Sequence, residues 1–136
     1  AVVLRDGCDV AIISTGTMVH YSLCAADILA KQGLSCRIVN MHTIKPLDVD
    51  DIKKSCNVWL IVTVEEHSIL GGLGGAVAEV LSEIAGHPPL LRIGLPDTFL
   101  HAGTYEYLLK ECGLTGEMIA KKVLSSINFR ELSIPI

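Results

Sequence analysis

Three aliphatic runs constrain this chain more than any other feature: Val10–Ser14 (VAIIS), Cys36–Asn40 (CRIVN) and Trp59–Val64 (WLIVTV). They are rich in β-branched residues, and none of them alternates polar with apolar. That is the pattern of strands covered on both faces, not of a sheet with one side in water. Between the runs the hydrophobic period lengthens to that of a helix. Over Met18–Gln32, Val19, Leu23, Ala26 and Ala30 fall on one face with Leu29 beside them, while His20, Asp27 and Lys31 lie opposite. Gly33 supplies the stop.

The same alternation continues downstream. Asp48–Ser55 reads as a short polar helix after a loop over Met41–Pro46. Gly71–Gly75 opens a helix whose stripe is Leu73, Val77, Val80, Leu81 and Ile84, with Glu79 and Glu83 toward water. His87-Pro88-Pro89 breaks the chain before a strand over Leu90–Ile93. Thr104–Cys112 is a helix closed by Gly113, and Thr115 can N-cap a last one with Ile119, Val123 and Ile127 on one face.

Strands alternating with helices predict a mostly parallel sheet with helices on both faces, joined by right-handed crossovers. Val2–Leu4 is the exception. Only the Asp6-Gly7 turn separates it from the next strand, too little for a helical crossover, so it should run antiparallel to the rest. The fold class is therefore α/β: a three-layer α/β/α sandwich on a five-stranded, mostly parallel sheet with one antiparallel strand. Residues 1–128 form one domain without linker or repeat. Residues 129–136 carry no periodic pattern and are expected to be a tail without assigned structure.

Composition agrees. Half of the residues are hydrophobic but only 4% are aromatic, so the core is aliphatic. A net charge of −4 with no basic face argues against nucleic acid as a partner. No apolar run reaches the ~18 residues that would cross a membrane. No signal peptide is visible, and a start at Ala1 reads as a fragment or a processed product. The five cysteines, Cys8, Cys24, Cys36, Cys56 and Cys112, are odd in number and include no C-x-x-C pair. Reduced, mostly buried thiols in the cytoplasm are expected, without a zinc site or a disulfide framework.

Candidate site residues lie where strands hand over to helices. Gly71-Gly72-Leu73-Gly74-Gly75 occupies the position of phosphate-binding turns in open α/β folds. Its spacing matches neither a dinucleotide fingerprint nor a P-loop, so a tight turn for close packing is the favoured reading. Glu65-Glu66-His67 follows the most β-prone run. Paired carboxylates beside a histidine could do acid–base work. Adjacent residues on an extended chain face opposite ways, which argues instead for a structural or interface network, with one carboxylate bonded to backbone N–H groups of the turn. Ser14-Thr15-Gly16-Thr17 reads as an N-cap. The candidate crevice or interface residues are thus Gly16, Thr17, Glu65, Glu66, His67, Gly71 and Gly72, and none is assigned a catalytic, cofactor-binding or metal role.

Four segments in register resemble the C-terminal domain of transketolase: DVAIISTGTMV (Asp9–Val19), VNMHTIKPLD (Val39–Asp48), VTVEEHSILGGLGGAVAEVL (Val62–Leu81) and RIGLPDTFLHAGTYEYLLKECGLTGEMI (Arg92–Ile119). The same domain closes 1-deoxyxylulose-5-phosphate synthase and the beta subunit of 2-oxo-acid dehydrogenases, which rank behind transketolase. The resemblance implies a complete enzyme that moves a two-carbon ketol unit between sugar phosphates. It also implies that thiamine diphosphate and a divalent metal, magnesium, sit on other domains of a homodimer. This chain would then bind no cofactor itself and would have the remaining domains or subunit of the enzyme as its partner. A stand-alone module that holds a small anion or another protein in the crevice is the rival reading.

Overall fold

The computed structural model describes residues 1–131. Its elements follow in the order β1 (Val2–Arg5), β2 (Val10–Ser14), α1 (Met18–Lys31), β3 (Cys36–Asn40), α2 (Val49–Lys54), β4 (Leu60–Ser68), α3 (Leu73–Ser82), β5 (Leu90–Leu95), α4 (Tyr105–Glu111) and α5 (Gly116–Glu131). The strands form one five-stranded sheet in the order β1-β3-β2-β4-β5. β2, β3, β4 and β5 are parallel, with Ile12 in register between Ile38 and Val62. The three runs without polar alternation are the three central strands.

β1 is antiparallel, as its short connection requires, but it pairs with β3 rather than with its sequence neighbour. Both edges of β2 are already taken, by β3 and β4, so β1 joins at the outer edge of β3.

Alternation along the central strands divides the core in two. Val10, Ile12, Ile38 and Val62 pack with α1 and α5 through Met18, Leu29, Ile119 and Val123. Ala11, Ile13, Val39 and Ile61 pack with α2 and α3 through Ile52, Leu73, Val77 and Leu81. Each fully buried side chain of this size contributes ~1.5–3 kcal/mol. Two mainly aliphatic layers therefore hold the domain, with Tyr21 packed partly buried against the first.

Some local expectations shift. The buried stripe of α1 is Met18, Ser22, Ala25, Ala26 and Leu29. It is rotated from the Val19–Leu23–Ala30 face, because a buried serine and small alanines hide the true period. Gly116 lets α5 start close against α1: a Cβ there would lie 2.8 Å from the Cys24 Cβ. Trp59 falls just outside β4, held by its N–H to the Asp9 carbonyl at 2.9 Å, and its side chain is 60% exposed. Cys36 and Cys112 are buried, but Cys8 is exposed and Cys24 and Cys56 are half-buried. Helix α5 runs past residue 128 to Glu131; the rest of the expected tail, 132–136, lies outside the described residues.

Candidate functional site

The connection β2–α1–β3 leads to one side of the sheet and β4–α3–β5 to the other. The strand order therefore reverses between β2 and β4, and a crevice opens at their carboxyl ends. All the candidate residues meet there. Gly16, Thr17, Glu65, Glu66, His67, Gly71 and Gly72 line one cleft of about 400 Å³, together with Thr15 and Ile44. Sequence reasoning did not single out Ile44, which enters from the loop after β3.

β4 runs on to Ser68, so Glu65, Glu66 and His67 are residues of the strand itself. Strand alternation then sends the two carboxylates to opposite layers. Glu65 is 1% exposed and turns toward α3. Its Oε2 accepts the Leu73 N–H at 2.6 Å and its Oε1 accepts the Gly74 N–H at 2.8 Å. Helix α3 needs this partner: its N-cap residue is Gly72, which offers no side chain, and its first turn carries no acidic residue. A carboxylate from the neighbouring strand satisfies two of the orphan N–H groups and complements the helix dipole.

The glycines make room for this contact. A Cβ on Gly72 would lie 1.9 Å from Glu65 Oε2, and one on Gly94 would lie 3.3 Å from Glu65 Cγ. Gly71 meets a different demand, with a left-handed φ of +74°. The glycine-rich turn is thus shaped around a buried carboxylate.

Glu66 is exposed and turns to the α1 side. Its Oε2 accepts hydrogen bonds from the Thr17 hydroxyl and, at 2.9 Å, from the Tyr105 phenol at the start of α4. Thr17 is the N-cap residue of α1, yet its side chain makes no capping bond, because its backbone is already helical at φ −60° and ψ −25° rather than extended as a capping residue requires. The Thr17 hydroxyl also works to lower the Tyr105 pKa, but desolvation and the Glu66 carboxylate outweigh it and hold the phenol above its ordinary value. Tyr105 therefore stays a donor. His67 is exposed, and its Nδ1 lies 3.0 Å from the Ser68 carbonyl, which places the ring proton on Nδ1.

Both carboxylates border the cleft, but they do not form a dyad. One is buried as a helix cap, and the other ties α1 and α4 to β4. Among the described residues no group of three or more His, Cys, Asp or Glu comes together to hold a metal ion. Nor is any helix there long and apolar enough to cross a membrane.

The family model described as "Transketolase, C-terminal domain" matches residues 1–119. The chain is 50% identical over 125 residues to the "Putative transketolase C-terminal section" of Methanocaldococcus jannaschii, covering 92% of this chain and 39% of that protein. It is 43% identical over 133 residues to a 1-deoxy-D-xylulose-5-phosphate synthase of Synechococcus, covering 97% of this chain and 20% of the synthase. Among solved structures, a "Split gene transketolase, inactive beta4 tetramer" superposes with a TM-score of 0.87 at 38% identity, over 93% of this chain and 42% of that one. The chain thus spans about two fifths or less of the proteins it matches.

Proposed function

The chain belongs to the transketolase C-terminal domain family, and from that premise we propose that it is the C-terminal section of an enzyme that transfers a two-carbon ketol unit from a ketose phosphate to an aldose phosphate. Thiamine diphosphate would supply carbanion stabilisation in that enzyme. The observation that carries the reading is the match of the family model from residue 1 to 119.

The donor set supports placing the cofactor elsewhere. The α3 N-terminus, where a diphosphate would ordinarily sit, is plugged by both oxygens of Glu65. Glu66 adds a second carboxylate to the same cleft. A diphosphate would meet two negative charges there and does not fit. Thiamine diphosphate and magnesium are accordingly assigned to the other sections of a homodimeric, cytoplasmic enzyme. The role of this chain is structural: Glu65 holds the α3 end of the cleft and Glu66 the α1 and α4 end.

The Synechococcus relative supports a second reading, in which the complete enzyme makes 1-deoxyxylulose 5-phosphate. One assay separates the two. The complete enzyme, loaded with thiamine diphosphate and magnesium, is given a ketose phosphate and an aldose phosphate, and separately the substrates of the synthase. Ketol transfer supports the first reading; formation of 1-deoxyxylulose 5-phosphate without transfer would replace it by the second. Micromolar, saturable binding of thiamine diphosphate to this chain alone, by calorimetry, would defeat both.

A further inference from the structure

We propose that the cleft at Glu66 receives a cationic side chain, arginine or lysine, from the section of the enzyme that this chain lacks; the inference rests on the reading above and names the contact through which the two sections meet.

The first observation is how Glu66 is held. The Thr17 and Tyr105 hydroxyls both donate to Oε2. Among the described residues nothing donates to Oε1. Three elements, α1, β4 and α4, thus fix one carboxylate and leave one oxygen free at the cleft. A carboxylate oriented in advance loses little freedom when it binds.

The second observation is that no cation among the described residues satisfies it. Arg5 pairs with Asp27, and Arg37 pairs with Asp6 and Asp51. Arg92 donates to the Ile69 carbonyl, and no lysine or arginine lines the cleft.

The third observation is the apolar rim. Ile44 lines the cleft and is 39% exposed, and Leu70, next to the lining residue Gly71, is 53% exposed. On the other side of Glu66, Leu100 and Tyr105 line a smaller pocket shared with it, and are 40% and 48% exposed. A charge ringed by apolar surface is the anatomy of a docking point, because the rim excludes water from the ion pair once covered.

The alternatives fit less well. A divalent ion would find a single free carboxylate oxygen, since both oxygens of Glu65 are spent on α3. An anion would be repelled. The relatives supply the occupant: this chain covers 39% of the Methanocaldococcus protein and 42% of the split transketolase chain, so proteins of this kind carry further chain to pack against it.

The test uses the complete enzyme and carbodiimide labelling of carboxylates, with Glu79 on the exposed side of α3 as the reference. Glu66 should label at least about tenfold more slowly than Glu79. Glu66→Lys should raise proteolytic release of this section by about tenfold to a hundredfold, the range expected for loss of a charge-assisted contact. Glu66→Gln, which keeps an acceptor for both hydroxyls, should give a smaller rise, and Glu79→Lys none. Equal labelling of Glu66 and Glu79 in an enzyme with intact ketol transfer overturns the docking site and leaves the functional reading standing. Protection of Glu66 without any effect of Glu66→Lys overturns the cationic partner. Protection in an enzyme that performs no ketol transfer supports the docking site and defeats the functional reading.

Discussion

Replacing Glu65 by glutamine tests whether the glycine-rich turn is built around a buried carboxylate. The wild-type side chain is 1% exposed and accepts two backbone N–H groups at 2.6 and 2.8 Å. Glutamine keeps one oxygen and turns a second donor toward an N–H that needs an acceptor. One charge-assisted bond is lost, at ~1.5–3 kcal/mol, and the favourable charge at the helix N-terminus goes with it, at ~0.3–1 kcal/mol. The sum is about 2–4 kcal/mol. In urea, with a slope of about 2 kcal/mol per molar for a domain of this size, the midpoint should fall by about 1–2 M. Glu65→Ala should cost at least as much, since neither N–H then has an acceptor. Far-UV circular dichroism is the suitable signal, because Trp59 is 60% exposed and reports poorly on the core. Glu66→Gln is the matched control: its carboxylate is exposed and should cost only ~0.5 kcal/mol. A midpoint shift for Glu65→Gln below about 0.3 M, or one equal to that of Glu66→Gln, would refute the account of the turn.

The remaining expectations concern the same scaffold. Gly72→Ala should destabilise by more than about 2 kcal/mol, because its Cβ would fall 1.9 Å from Glu65 Oε2. Gly75→Ala, in the first turn of α3 with nothing within 4 Å of the new methyl, should instead stabilise by ~0.5–1 kcal/mol; paired denaturation curves decide both. Burial, and then the Asp9 carboxylate, push the Cys36 thiol up from 9.0 to about 11. The stability this carries is fully present below pH 9 and is lost as the pH rises toward 11. Cys36→Ala should remove that part of the alkaline fall, and an unchanged pH profile would contradict it. Ile61→Asp places an uncompensated charge at a position that is 0% exposed, and it should prevent folding; a soluble, cooperatively unfolding variant would show that β4 is not central.

Much of this architecture was legible because its signals are local. VAIIS, CRIVN and WLIVTV carry their burial in their own composition, and they are the three central strands. The antiparallel β1 followed from the length of one turn. The pairing of β1 with β3 did not, because it depends on which edges of β2 are occupied, and that is set by strands further along the chain. The α1 face was missed for a different reason: Ser22 is a polar residue inside the buried stripe, and hydrophobic periodicity cannot count it.

The site divides in the same way. Alternation along β4 states that Glu65 and Glu66 serve opposite layers, but not which helix each will meet. That depends on the handedness of two crossovers, which puts α3 over the Ile61 face and α1 over the Val62 face. Once those are placed, Glu65 has to meet the N-terminus of α3, since Gly72 leaves that end without a cap. Glu66 is harder. Its partners lie 49 residues earlier, at Thr17, and 39 residues later, at Tyr105, and neither has a pattern of its own. Thr17 carries a misleading one, since a threonine at a helix start ordinarily caps that helix. Its hydroxyl makes no cap because the Thr17 backbone is already helical, and the Met18 and Val19 N–H groups bond the Thr15 and Gly16 carbonyls instead. What the sequence conceals here is therefore the backbone conformation of one residue at a helix start, which the folded arrangement fixes and which leaves the hydroxyl to donate to a carboxylate 49 residues away.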